Sequence, residues 1–160
     1  DPDAATVWRG PMASNALKQM VEEGHWDELD FMLIDLPPGT SDIHLTLVQT
    51  VALSGAIVVS TPQQVALADA VKGINMFESP GISVPVLGIV ENMSYFQCPS
   101  CGERHSIFGA SCLSETAAAH GIRTIARLPI DPQLAAGCDK GMIELFDGTW
   151  LNEIADIIES

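Results

Sequence analysis

Apolar residues in this chain fall into two patterns, short unbroken runs and longer stretches with helical spacing. The unbroken runs occupy residues 31–36, 56–60, 84–90 and 124–128. None alternates apolar with polar, as a strand with one wet face does. Continuous Val/Ile/Leu runs of this length suit strands of a parallel sheet covered on both faces. Helical spacing appears between them. Residues 12–23 follow Pro11, a favoured first-turn residue, and align Ala13, Leu17, Met20 and Val21 on one stripe. Residues 42–53 align Ile43, Leu47 and Val51 behind a cap at Ser41 or Asp42. Residues 65–77 align Leu67, Ala70, Val71, Ile74 and Phe77; residues 111–120 are Ala-rich and stop at Gly121. The tail, 150–158, carries Leu151, Ile154, Ala155 and Ile158 on one side.

Helices and strands in this alternation predict right-handed crossovers and an α/β fold: a doubly wound, mostly parallel sheet with helices on both faces. One stretch departs from the alternation. Residues 92–109 form an excursion containing Cys, Pro and Gly between a strand and the next helix, and loops that long in such folds are commonly functional. The 160 residues are expected to be one globular domain or a large piece of one.

Composition narrows the partners. Seven basic against 21 acidic residues give a formal charge of −14, with no Lys/Arg cluster to displace phosphate counterions. Nucleic acid and anionic membrane are therefore not expected as partners. No apolar run approaches the ~18 residues that span a bilayer. The first residues show no basic segment followed by an apolar one, so no secretory signal is visible. Two of the four cysteines stand in a tight C-x-x-C, which favours metal or redox chemistry in a reducing compartment and points to the cytosol.

Three segments carry candidate chemistry. Asp35-Leu36-Pro37-Pro38-Gly39-Thr40 comes directly after Phe31-Met32-Leu33-Ile34. A carboxylate at the carboxyl end of a buried parallel strand stands where α/β folds bind ligands, and it can hold Mg²⁺ through water. Gly39 would let a backbone N–H approach a phosphate oxygen, and the two prolines stiffen the loop. The same residues serve equally as a strand ending in a rigid turn. Next, Cys98-Pro99-Ser100-Cys101-Gly102 places two thiolates where one soft metal centre can take both. A tetrahedral zinc or a [4Fe–4S] cluster needs four ligands, and one pair supplies two. Zinc knuckles and redox dithiols share this spacing; Cys98, Cys101, His105 and Cys112 could make an intramolecular zinc site, or the pair could be an oxidised disulfide. Lastly, Asn92 ends a predicted strand, and the turn Pro129-Ile130-Asp131-Pro132 follows another. By residue type alone both read as punctuation.

Taken together these motifs resemble the Mrp/Nbp35 ATPases, carriers of iron–sulfur clusters. The resemblance begins with Trp8-Arg9-Gly10-Pro11-Met12 and continues from Trp26 through Asp35-Leu36-Pro37-Pro38-Gly39-Thr40 to His44-Leu45-Thr46. Ser60-Thr61-Pro62-Gln63 and Gly88-Ile89-Val90-Glu91-Asn92-Met93-Ser94-Tyr95-Phe96 extend it. Cys98-Pro99-x-Cys101-Gly102-Glu103, Ile107-Phe108-Gly109 and Leu128-Pro129-Ile130-Asp131-Pro132 complete it over nearly the whole chain. That family belongs to the deviant Walker A P-loop NTPases, with the MinD/ParA-like cell-division and plasmid-partition ATPases as relatives.

The resemblance implies ATP and Mg²⁺ as cofactors. Asp35 would be the catalytic and Mg²⁺-serving carboxylate, Gly39 would meet the γ-phosphate, Asn92 would read the base, and Asp131 would lie on a segment closing over it. It implies a homodimer in which Cys98 and Cys101 of two chains hold one [4Fe–4S] cluster for delivery to apo iron–sulfur proteins. It also implies a Gly-rich two-lysine loop upstream of Asp35. No G-x-x-x-x-G-K-[ST] occurs, and the only Gly–Lys neighbours run in reverse, at Lys72-Gly73 and Lys140-Gly141. The chain is accordingly expected to be the C-terminal part of a single P-loop ATPase domain, residues 1–160 with an inserted C-x-x-C loop at 92–109. Alone it is expected not to hydrolyse ATP. Two other classes stay open at this point: a zinc-binding interaction module without ATPase activity, and a MinD/ParA-like positioning ATPase. Cys112 and Cys138 are expected as packed thiols, Trp8 and Trp26 as core anchors, and His25, His44 and His120 in surface or packing roles.

Overall fold

The computed structural model describes residues 10–36 and 42–160; Trp8, the segment Pro37 to Thr40 that includes Gly39, and Ser41 lie outside them. Helix α1 spans Gly10–Glu22, with Pro11 in its first turn, where a missing N–H costs nothing. Helix α2 spans Asp42–Thr50 and packs against α1. Leu47 and His44 of α2 and Ser14 of α1 are buried in this pair, and Thr46 Oγ1 donates to Ser14 Oγ at 3.0 Å. His44 therefore has a packing position.

Residues 31–36 correct the expectation of a strand. They adopt no regular structure, and Phe31, Met32 and Leu33 are exposed, Leu33 by 79%. An apolar run signals an affinity for burial, but a strand exists only through its ladder, and no described segment pairs with this one. Asp35 thus stands on exposed, unpaired backbone instead of at the tip of a buried strand. Trp26 is no core anchor either: it is 49% exposed, and its Nε1 donates to the Met20 carbonyl at 3.2 Å.

The sheet is built around one long strand. β1 (Ala56–Ser60) and β4 (Thr124–Pro129) both run parallel to β2 (Val86–Gln97), one on each side, with Val58 opposite Ile89 and Ile89 opposite Ile125. A two-residue strand, β3 (Arg104–His105), pairs antiparallel with the far end of β2. Helix α3 (Gln64–Glu78) crosses from β1 to β2, and α4 (Leu113–Ala119) leads into β4. Two crossovers of one hand advancing in one direction must lie on the same face. They do: Leu67 and Ile74 of α3 join Leu113 and Ala117 of α4 over Ile89, with Val58 and Ile125 packed against them. His120 Nδ1 and Glu78 Oε2, 2.9 Å apart, tie the ends of these two helices together.

Adjacent strand residues point to opposite faces, so Val90, Ala126 and Ile57 look the other way. Helix α6 (Asn152–Glu159) covers them with Ile154 and Ile158. Gly88 permits this approach, since a Cβ there would come within 2.7 Å of Ile154 Cδ1 and 3.2 Å of the Thr124 carbonyl. The expected α/β layering with helices on both faces is what the chain forms. An additional helix, α5 (Pro132–Asp139), was not evident in the sequence: its stripe is weak and Gly137 interrupts it. Its start is nonetheless well signalled, because Asp131 caps it and Pro132 occupies the first turn.

Candidate functional site: a dithiol hairpin at the end of the central strand

Residues 92–97 of the excursion at 92–109 continue β2, so its first part is strand and not loop, and Arg104–His105 return as a short strand. β2 continues past its parallel partners to Gln97, where it turns back through β3. At the junction the strand bulges. Glu91 is opposite Arg127 and Tyr95 opposite Pro129, so β2 advances four residues while β4 advances two. Met93 sits within the bulge in the left-handed region, φ 56°, which is uncommon for a residue with a side chain. Bulges of this kind re-aim side chains where strands meet functional surfaces.

The two cysteines occupy the hairpin tip. Cys98 N–H donates to the Glu103 carbonyl at 2.9 Å, and Gly102 N–H donates to the Cys98 carbonyl at 2.8 Å, closing the turn that carries Pro99, Ser100 and Cys101. Gly102 has φ +74°, a conformation that glycine adopts without a Cβ penalty. The arms are braced by the Arg104 guanidinium over the Tyr95 ring, 4.4 Å from its centroid. Cys98 is partly exposed, Cys101 is exposed, and both are free thiols, so the pair is not a disulfide. Cys112 and Cys138 are also free and exposed, contrary to the expectation of packed thiols.

Backbone N–H groups of Cys101 and Ser100, and then the Cys101 side chain, hydrogen-bond the Cys98 sulfur and hold its pKa below the ordinary thiol value, against a smaller opposing effect of burial. The thiolate is the metal ligand and the nucleophile. The alkylation rate of Cys98 by iodoacetamide, followed by peptide mass spectrometry, is therefore expected to inflect at lower pH than that of N-acetylcysteine. A profile coinciding with the reference thiol would contradict the geometry of the turn.

The intramolecular zinc set is not assembled. Among the described residues, no group of three or more His, Cys, Asp and Glu side chains is gathered closely enough to hold a metal ion. His105 is in β3, where its nearest acid is Glu103 at 3.8 Å, and Cys112 precedes α4. The hairpin offers a soft centre two thiolates.

The nucleotide candidates stand apart in kind. Asn92 is half-buried in the bulge, and its Oδ1 accepts from Met93 N–H at 2.9 Å, leaving its amide N–H groups to donate elsewhere. Asp131 Oδ1 accepts from Gln133 N–H at 2.7 Å as the α5 cap. Asp35 is exposed, and Gly39 lies outside the described residues. One residue of this region received no role in the sequence reading. Glu91, 1% exposed, is the last paired residue of β2 before the bulge and collects Ser94, Ser111 and Arg127 around its carboxylate. A lone acid closing an otherwise apolar run was the signal available for it.

Comparison with known proteins supplies the class. The chain is similar to a nucleotide-binding protein from Archaeoglobus fulgidus solved in complex with ADP, with cobalt found in it; the match has a TM-score of 0.74 and 43% identity, and covers 85% of this chain and 57% of that one. The fold is thus the α/β fold of nucleotide-binding P-loop proteins. Residues 1–159 match the family described as ParA: NUBPL iron-transfer P-loop NTPase, and the chain belongs to that family. Among curated relatives, an iron-sulfur cluster carrier protein of Haemophilus influenzae is 52% identical over 87% of this chain and 37% of its own length. A mitochondrial iron-sulfur protein required for NADH dehydrogenase from Arabidopsis thaliana is 46% identical over 89% of this chain and 45% of its own. The chain spans less than half the length of either. No helix among the described residues is long and apolar enough to cross a membrane.

Proposed function

We propose that this chain is the cluster-holding, C-terminal part of the ATPase domain of an ATP-dependent iron–sulfur cluster carrier. A [4Fe–4S] cluster is its cargo, held between two chains by Cys98 and Cys101 of each and passed to apo iron–sulfur proteins in the cytosol. The observation that carries this reading is an incomplete ligand set: two accessible thiols at a hairpin tip, with no third metal-ligating group beside them among the described residues. Four-coordinate centres need a second pair, and a second copy of the hairpin brings one. The names of the relatives support the cargo, and the ADP-bound neighbour supports a nucleotide.

ATP would supply the phosphoanhydride bond to be hydrolysed, and Mg²⁺ would neutralise its phosphate charge. On this reading the exposed Asp35 carboxylate would hold Mg²⁺ through water, which suits an ion reluctant to shed its hydration. Gly39 would offer its backbone N–H to the γ-phosphate, and Asn92 would donate from its amide to the base. Asp131 fixes the turn after β4 through its cap, on a segment that would close over the base. Anaerobic reconstitution with iron and sulfide tests the proposal: about one cluster per two chains supports it, and stoichiometric zinc that resists exchange by iron refutes it.

A further inference from the structure

Glu91 is the only acid among the buried side chains described, and its surroundings join segments far apart in sequence. Ser94 Oγ donates to Oε1 at 2.5 Å, and Ser111 Oγ donates to Oε2. Arg127 Nε stands 3.5 Å from Oε1, while its Nη2 donates to Ser114 Oγ at 2.7 Å. Ser111 Oγ in turn accepts from Leu113 N–H at 3.1 Å, at the start of α4. One carboxylate therefore grips the chain where it leaves the parallel sheet, where it returns, and the neighbouring strand β4.

A carboxylate withdrawn from water costs several kcal/mol unless its oxygens are satisfied, and an apolar residue would stabilise the spot more simply. What the acid adds is direction, since each oxygen accepts from a donor at a fixed place. The excursion has need of it. Every residue from Cys101 to Ala110 is exposed, so the body of the hairpin makes little packing contact to set its attitude. Its two ends, Ser94 and Ser111, are both fastened to Glu91.

We propose that Glu91 is a positioning residue that sets the attitude of the dithiol hairpin relative to the sheet, through Ser94 on the outgoing arm and Ser111 on the returning one. Its consequence for metal binding rests on the thiolate reading of Cys98 and Cys101; the clamp itself does not. Residues that hold ligands from behind typically change metal affinity by about 10–100-fold when replaced. The low end applies here, because Glu91 acts through backbone and touches neither sulfur.

The test uses the full chain, Co²⁺ alone as probe, and amide hydrogen exchange read by mass spectrometry. Glu91→Gln is expected to weaken cobalt binding, seen as thiolate-to-cobalt absorption, by about tenfold. It is also expected to speed exchange across residues 95–110 while leaving 56–60 unchanged. Ser94→Ala, which keeps the buried carboxylate and Arg127 together, should move both readouts the same way by a smaller factor and decides the matter if Glu91→Gln does not fold. Ser94→Thr restores the hydroxyl and should restore wild-type affinity. Exchange over 95–110 unchanged in Ser94→Ala, or raised equally over 56–60, overturns the proposal, as does wild-type cobalt affinity in both variants. Wild-type chain that binds no cobalt, with exchange still responding, removes the thiolate reading and leaves the clamp.

Discussion

Alanine at Cys98 or Cys101 is expected to abolish retention of a reconstituted iron–sulfur cluster, while alanine at Cys112 or Cys138 leaves it intact. The hairpin presents two thiols with no third metal-ligating group gathered beside them among the described residues, so under the proposed function a centre shared by two chains would draw on each for half its coordination. Four-ligand structural metal sites in small peptides bind with an apparent ~10–16 kcal/mol, or about 3 kcal/mol for each ligand if divided evenly. In a centre so shared, a single substitution would remove one sulfur from each of two chains, a loss of about 6 kcal/mol, which corresponds to more than ~10,000-fold in affinity. Partial occupancy is not expected at that scale. Iron and sulfide analysis after gel filtration, with absorption in the charge-transfer region, reads the outcome. Unaltered cluster content in both the Cys98→Ala and the Cys101→Ala variant would dismiss the hairpin as the site. Loss on replacing Cys112 would bring in a ligand outside the turn.

How far the sequence anticipates this structure depends on what each signal encodes. The runs at 56–60, 84–90 and 124–128 read as parallel strands because each finds a ladder partner, and helices cover both faces, within the described residues. The run at 31–36 carries the same composition and forms no strand, since composition encodes the demand for a partner and not its presence. Trp26 misleads for a related reason: ring size predicts burial only where a layer lies over it. The length of β2 was hidden by the polar letters after Val90. Asn92, Ser94 and Gln97 look like loop, yet a bulge and an antiparallel return let them continue a strand whose apolar pattern has ended.

The dithiol was plain in the sequence because its spacing is local, and a turn of four residues leaves two sulfurs few places to go. Glu91 was not, because its meaning is entirely tertiary. Its partners are 3, 20 and 36 positions away, the last from Glu91 to Arg127, and no short motif couples them. Asp131 shows the reverse case. A residue noted for ligand chemistry already has a structural duty as the α5 cap, a duty readable from Asp-Pro at a helix start.

Ile89→Ala is expected to be the most damaging single core truncation, and comparison with Ile154→Ala shows why. Ile89 is fully buried in the central strand, beneath Leu67 and Ile74 of α3 and Leu113 and Ala117 of α4. Removing about three methylene equivalents costs ~2.4 kcal/mol in transfer. The cavity adds to this because strand backbone on either side cannot close in, giving about 4 kcal/mol within the usual range for such changes. Ile154 is 5% exposed on a terminal helix of eight residues, over the smaller cluster of Val90 and Ala126. That helix can shift to fill the space, and about 2–3 kcal/mol is expected. Folded proteins are typically stable by only ~5–15 kcal/mol, so the first change takes a large fraction of such a total. Urea unfolding, with equal slopes as the condition for comparison, orders the two. A larger loss for Ile154→Ala would mean that the face under α6, and not the one under α3 and α4, holds the sheet together.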